Sequence, residues 1–134
     1  MSDYNTSIIE EFRANAGRVG GSWEGRDLLL LTTTGRKSGR KHTTPMVFTR
    51  DGDRLLVYAS KAGAPKHPDW YLNLVADPRV VVEAGPERYD AIATPLEREE
   101  RDRQFAAQAA RVPTFAEYQE KTSRIIPVVA LTRA

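Results

Sequence analysis

The chain has 134 residues, of which 40% are apolar and 28% are charged, and this composition predicts one globular domain over residues 1–134. It contains no cysteine, which excludes disulfides, thiolate nucleophiles and cysteine-ligated metals, and a reducing cytoplasm is the expected location. No apolar run approaches the length of a membrane span, and no signal peptide is expected at the N-terminus.

The charges are unevenly distributed, although the net charge is only +2. Residues 28–50 contain no acid but five cations, and a second acid-free stretch, residues 54–68, adds Lys61 and Lys66. Cations gathered in one part of a nearly neutral protein favour a local anionic ligand over a long polyanion. Residues 97–103 instead alternate in sign, which predicts a solvated helix face.

The N-terminal segment, residues 3–15, is predicted to be a helix because Ile8, Ile9 and Phe12 fall on one side of it. A glycine-rich connection, ending at residue 21, should follow it. The apolar side could cap the rest of the fold or lie on a membrane surface. Glu10 and Glu11 would repel anionic lipid headgroups, so the capping role is favoured.

The remaining segments predict six strands and three further helices. Apolar runs between turn residues predict strands at residues 27–34, 43–50, 54–60, 79–84, 88–93 and 125–131. A short helix is expected at 68–75, and two more should begin at Thr94 and Thr114, each an N-cap with glutamate three residues later. Hairpins joined by short loops favour an α+β fold, with an antiparallel barrel of about six strands flanked by about four helices.

The turn at residues 35–41 follows the first strand and is rich in glycine and cations. Its glycines allow backbone amides to approach a phosphate, Ser38 adds a hydroxyl, and Arg36 and Lys37 add charge. The spacing matches neither a Walker loop nor a dinucleotide fingerprint. An exposed basic hairpin turn stays open as the alternative, and nucleic-acid binding is disfavoured because no basic helix accompanies the turn.

A second candidate segment, residues 60–73, combines a proline-shaped loop with the start of a helix that carries Trp70. The free amides at this helix start could bind the carbonyls of a planar anionic heterocycle while Trp70 packs nearby. Alternatively, Trp70 and Leu74 simply anchor the helix to the barrel. Asn73 is expected to tie down the loop.

No metal centre or hydrolase site is predicted. His42 and His67 are the only histidines, and no carboxylate lies beside them at ligand spacing. The GxSxG motif of many serine hydrolases is also missing. Tyr118 could donate a proton or a hydrogen bond to a substrate oxygen, or it could be a tyrosine packed at the surface.

Taken together, these motifs resemble the deazaflavin-dependent nitroreductases of actinobacteria. The resemblance runs from about residue 28 to residue 132 and leaves only the N-terminal helix outside it. Its motifs occur in order along the chain: residues 28–40 with 43–46, then 59–60, 63–65, 68–74, 77–80 and 118–127.

The resemblance implies a split β-barrel of the FMN-binding type and the coenzyme F420, whose flat deazaflavin ring carries an anionic phosphodiester and glutamate tail. By the same resemblance, the cofactor-binding residues are Arg36, Lys37, Ser38, Arg40, His42, Thr44, Pro45, Met46, Ser60, Lys61, Lys66, Pro68, Asp69, Trp70 and Asn73. The substrate pocket would contain Phe115 and Tyr118, with Tyr118 as the proton donor or substrate contact. His42 and Phe115 depart from the family pattern, which has arginine and tyrosine there.

The expected reaction is hydride transfer from reduced F420 to a small acceptor: a quinone, a nitroaromatic compound or an activated enone. A non-catalytic F420 carrier, a binder of lipid-like ligands and an FMN enzyme on the same barrel are the alternatives. The chain is expected to act as a monomer or a homodimer.

Overall fold

The computed structural model describes residues 3–20 and 27–134, and its elements confirm the expected α+β class. Four α-helices and six strands lie in these ranges, in the order α1 Asp3–Ala14, β1 Leu28–Thr34, β2 Lys41–Asp51, β3 Arg54–Tyr58, α2 Asp69–Ala76, β4 Arg79–Ala84, β5 Glu87–Pro95, α3 Arg98–Arg111, α4 Thr114–Glu120 and β6 Val128–Arg133. One turn of 3-10 helix, Lys61–Gly63, precedes α2. Gly21, the end of the predicted glycine-rich connection, lies outside the described residues.

The strands form a closed antiparallel barrel in the order β1-β2-β3-β6-β5-β4, with β4 paired back to β1. Three hairpins, β1–β2, β2–β3 and β4–β5, account for half of the pairings. The last strand, β6, inserts between β3 and β5. Each strand therefore has two hydrogen-bonded neighbours, although β2 pairs with β1 through residues 41–47 and with β3 through residues 48–51.

The leucine run of β1 is continuous because both faces of this strand are buried. Leu29 and Leu31 join the barrel interior, whereas Leu28 and Leu30 join a second cluster beneath α1. Side chains alternate between the two faces of a strand, so only a helix on the outer face explains four consecutive buried leucines.

Helix α1 provides that cover. Its Ile8, Ile9 and Phe12 are 5%, 7% and 1% exposed, and they pack with Leu28 and Leu30. A bidentate ion pair also binds α1 to β4: Arg13 donates through Nε and Nη2 to the Glu83 carboxylate at 2.9 and 2.8 Å. The apolar side of α1 is therefore occupied by the protein's own barrel.

The predicted helix start at Thr94 is wrong, because β5 continues through Pro95. Thr94 pairs with Ala130 and Pro95 with Val129 of β6, and α3 begins only at Arg98. The pairings that close the barrel outweigh a local capping signal. Thr114 is likewise the first residue of α4 and not its N-cap, which is Pro113.

The predicted solvated face at residues 97–103 is confirmed at most positions but not at Arg101, which is buried, and the last strand begins later than predicted. The two differences share one cause. Arg101 is 8% exposed and donates through Nε to the Ile126 carbonyl at 2.7 Å. Ile126 donates in turn to Gln119 Oε1 at 3.1 Å. Side chains of α3 and α4 thus hold the chain before β6, which begins at Val128 and not at residue 125.

Candidate functional site

The basic turn connects β1 to β2 and is closed by its own backbone. Gly35 N–H donates to the Arg40 carbonyl at 2.7 Å, and Gly39 N–H donates to the Gly35 carbonyl at 2.9 Å. Ser38 Oγ accepts from Arg40 N–H at 3.2 Å. The two glycine amides therefore shape the turn, and the groups it offers to a ligand are mainly its side chains.

Arg36 is held in place by helix α2. The Oδ1 atom of Asn73 accepts from both the Arg36 backbone N–H at 3.2 Å and Nη1 at 2.9 Å. Asn73 is 5% exposed, and its Nδ2 donates to the buried Thr33 hydroxyl at 3.4 Å. Asp69 adds a weaker contact with Arg36 Nη2 at 3.4 Å. Asn73 thus ties down the basic turn, whereas the sequence predicted that it would tie down the loop before α2.

The basic turn and α2 enclose a cleft of about 520 Å³, here called the basic cleft. Its lining is Gly35, Arg36, Lys37, Ser38, His42, Thr43, Thr44, Asp69, Trp70 and Asn73. Two permanent cations face one carboxylate there, and that carboxylate already contacts Arg36. The cleft can receive an anion because its positive charge is only partly compensated.

A second cleft of about 360 Å³, here called the aromatic cleft, lies between β2, β3, α2 and α4. Its lining is Pro45, Met46, Val47, Tyr58, Ser60, Lys61, Trp70, Val112, Thr114, Phe115 and Tyr118. The Phe115 ring meets those of Tyr58 and Tyr118 edge-on, with centroid distances of 5.5 and 5.6 Å. Such aromatic walls suit a flat apolar ring.

Trp70 lines both clefts, so the two adjoin at this side chain. Every predicted site residue lines one cleft or the other except Arg40, Lys66 and Pro68. Lys66 is exposed and Pro68 is buried as the N-cap of α2. The structure therefore joins two segments that are separate in the sequence.

Sequence reasoning missed Val47, Tyr58, Val112 and Thr114 in the aromatic cleft. Tyr58 lies in a strand, and no local pattern shows that it meets a ring from α4. Burial raises the pKa of the Tyr58 phenol, which keeps it protonated at neutral pH. Its hydroxyl hydrogen-bonds with that of Thr49 at 2.8 Å.

The second loop, residues 59–67, borders the aromatic cleft through Ser60 and Lys61. Lys61 has a φ of 46°, a conformation that non-glycine residues rarely adopt. Gly63 has a φ of 79°, and a Cβ there would lie 2.6 Å from the Tyr118 carbonyl oxygen. Only glycine lets the loop approach α4 so closely.

Residues 3–20 and 27–134 contain no group of three metal-ligating side chains that could hold an ion. None of the helices in these ranges is both long and apolar enough to cross a membrane.

The closed six-stranded barrel and its flanking helices place the chain among the small FMN-binding-like split-barrel proteins, as predicted. A solved structure of an F420H2-dependent reductase, FDR-A, aligns with a TM-score of 0.71 at 42% identity, covering 79% of this chain and 94% of that one. Another, described as a domain-swapped dimer, aligns with a TM-score of 0.73 at 37% identity, covering 96% and 97%.

Sequence comparison gives the family. The chain is 40% identical over 126 residues to the F420H2-dependent quinone reductase Rv1261c of Mycobacterium tuberculosis, covering 91% of this chain and 85% of that protein. The family model of the F420H2-dependent quinone reductases matches residues 6–133. The chain belongs to this family and is an oxidoreductase that depends on coenzyme F420. The match also takes in most of α1, which the resemblance seen in the sequence left outside.

Proposed function

We propose that this chain reduces quinones with F420H2, holding the anionic tail of the cofactor in the basic cleft and its ring in the aromatic cleft beside the acceptor. The observation that carries this proposal is the shared wall at Trp70, which brings a cationic cleft and an aromatic one together. F420 has the matching shape, because its flat ring continues into a negatively charged tail.

The basic cleft fits a phosphodiester through Arg36, Lys37 and Ser38. The Arg36 side chain is 29% exposed and already fixed by Asn73, so it loses little freedom when an anion arrives. The Lys37 ammonium has no ion-pair partner within the described ranges and is available to a phosphate oxygen.

The aromatic cleft fits the reacting groups. Pro45, Met46 and Trp70 can hold the deazaflavin ring, and Phe115 can pack against a quinone. Reduced F420, when bound, supplies the hydride. The quinone then needs one proton to become a hydroquinone, and the Tyr118 hydroxyl, half-buried at the wall, can donate it or relay it from water.

We also propose that the protein forms a homodimer and acts in the cytoplasm without inserting α1 into lipid. The dimer is suggested by the relative described as domain-swapped, and the cytoplasm by the absence of cysteine. Ile8, Ile9 and Phe12 of α1 are buried against the barrel and so are not available to lipid. Light scattering should give the mass of a dimer, and the protein should stay in solution when anionic vesicles are sedimented.

The test of the function combines F420 binding with turnover. F420 fluorescence should change on titration with the protein, and F420H2 should be oxidised when menadione is added. Lys37→Gln should raise the dissociation constant of F420 by about tenfold, the lower end for a charge-assisted bond at an exposed site.

Arg103→Gln is the matched control, because it removes the same charge from an exposed position of α3 outside both clefts. Its F420 affinity should equal that of the wild type. Absence of a fluorescence change, or binding without menadione-dependent oxidation, would contradict the proposal. Nitroaromatic and enone acceptors remain predictions and can be compared in the same assay.

A further inference from the structure

The second loop is held by one side chain from outside it, Arg124. Its Nε donates to the Ala64 carbonyl at 2.9 Å, Nη2 to the Ser60 carbonyl at 2.7 Å and Nη1 to the Ala59 carbonyl at 3.1 Å. Nη1 also lies 3.0 Å from Nδ1 of His67, which must accept because a guanidinium only donates. A single planar group thus binds both ends of the loop.

Besides the packing of Gly63 against Tyr118 and of His67 against Tyr71, the loop has few other hydrogen bonds that hold its shape. Ala59 N–H donates to the Pro127 carbonyl, and inside the loop Gly63 N–H and Ala64 N–H donate to the carbonyls of Ser60 and Lys61. Beyond Ala59, the loop is outside the barrel ladder, so its carbonyls need partners from elsewhere. Lys61 also keeps an unfavourable backbone conformation, which persists only when surrounding contacts enforce it.

The backbone of Arg124 is itself held by Gln119 of α4. Gln119 Nε2 donates to the Arg124 carbonyl at 2.7 Å, and Gln119 Oε1 accepts from the buried Arg101 at 2.7 Å. Within the described parts of the chain, Arg124 forms no ion pair with a carboxylate. Its N–H groups donate instead to the carbonyls of the second loop. Burial lowers the pKa of the Arg124 guanidinium.

Arg124 does not line either cleft, but Ser60 and Lys61, which it fixes, line the aromatic cleft. We propose that Arg124 is a positioning residue for the reaction: it fixes the second loop so that the ring and the acceptor meet in the geometry that hydride transfer needs. This inference rests on the proposed placement of the ring in the aromatic cleft. A small misplacement of reacting atoms slows transfer strongly while leaving a distant anchor intact.

The first measurement is independent of activity. Arg124→Gln should accelerate hydrogen exchange at the Gly63 and Ala64 amides by about tenfold or more, with β1 and β4 protected as in the wild type. Arg79→Gln, a charge removal at an exposed position outside both clefts and the loop, should leave these amides unchanged. Wild-type exchange at Gly63 and Ala64 in Arg124→Gln would overturn the inference.

The second measurement separates positioning from binding. In single turnover with menadione, Arg124→Gln should oxidise bound F420H2 about tenfold more slowly, while the dissociation constant of F420 rises less than about threefold because the basic turn is untouched. Guanidinium added to Arg124→Ala should restore part of the rate. A wild-type rate, or losses in affinity and rate of equal size, would overturn the inference.

Arg124→Lys covers the case in which the glutamine and alanine variants fail to fold. One ammonium cannot serve three carbonyls and a ring nitrogen in one plane, so loop exchange should be faster and transfer slower than in the wild type. If both the exchange rate of the loop amides and the rate of hydride transfer equal the wild-type values in this variant, the inference is overturned. If wild-type protein fails to oxidise F420H2 at all, the proposed function fails, and the exchange data alone decide whether Arg124 orders the loop.

Discussion

Replacing Asn73 by alanine should both destabilise the fold and weaken the binding of F420. Asn73 Oδ1 accepts one neutral hydrogen bond and one from a guanidinium, both from Arg36. A neutral bond contributes about 1 kcal/mol, and a charged one at least about 1.5 kcal/mol. Alanine recovers roughly 0.5 kcal/mol through its better helix propensity, so the expected net loss is about 2 kcal/mol.

The cofactor affinity should fall for a different reason. Without Asn73, Arg36 is free before binding and must be ordered by the ligand, which costs about 0.5–1.5 kcal/mol for such a side chain. The dissociation constant of F420 should therefore rise roughly two- to tenfold. Urea unfolding monitored by circular dichroism gives the first quantity, and fluorescence titration gives the second.

Asn15→Ala is the control, because it removes the same amide from an exposed site just after α1, where Asn15 Nδ2 donates to the Glu11 carbonyl. It should change the free energy of unfolding by less than about 0.5 kcal/mol. Equal effects of the two substitutions would refute the role given to Asn73. A stable Asn73→Ala with unchanged F420 affinity would refute it as well.

Three further predictions concern single residues. Gly35→Ala puts a Cβ 2.7 Å from Ser38 Oγ and 2.9 Å from His42 Nε2, so F420 affinity should fall roughly fivefold while urea unfolding changes by less than about 1 kcal/mol. The hydrogen bond from Arg13 lowers the pKa of Glu83, so the ion pair stabilises the fold above about pH 4.3 and this stabilisation is lost as the pH falls below that value. The urea midpoint of Glu83→Gln should therefore change less between pH 6 and pH 3 than that of the wild type. Burial, with the charge of Arg124, lowers the pKa of His67, so stability should decline as the pH falls below about 6.5, and His67→Gln, which keeps an acceptor, should abolish that decline.

The sequence was informative where the signals are local. The basic turn and the start of α2 each carry their ligand groups within a few residues, so their chemistry could be predicted before their positions were known. The alternation of buried side chains likewise explains why a run of four leucines is a strand and why α1 must cover it.

Long-range contacts were not predictable in the same way. Arg124 binds carbonyls about sixty residues away, and a carbonyl leaves no mark in the sequence. The predicted N-cap at Thr94 was wrong because Thr94 pairs instead with Ala130 of β6, 36 residues further along the chain. Arg101 looked solvated because its partners, Ile126 and Gln119, belong to later segments.

The most direct test of the account compares two ligands. The dissociation constants of F420 and of the same deazaflavin chromophore ending at its ribityl chain should be measured side by side by fluorescence. If the basic cleft holds the phosphodiester, F420 should bind at least about tenfold more tightly than the truncated chromophore. Lys37→Gln should raise the dissociation constant of F420 and leave that of the truncated chromophore unchanged. Equal affinity for both ligands would contradict the placement of the tail.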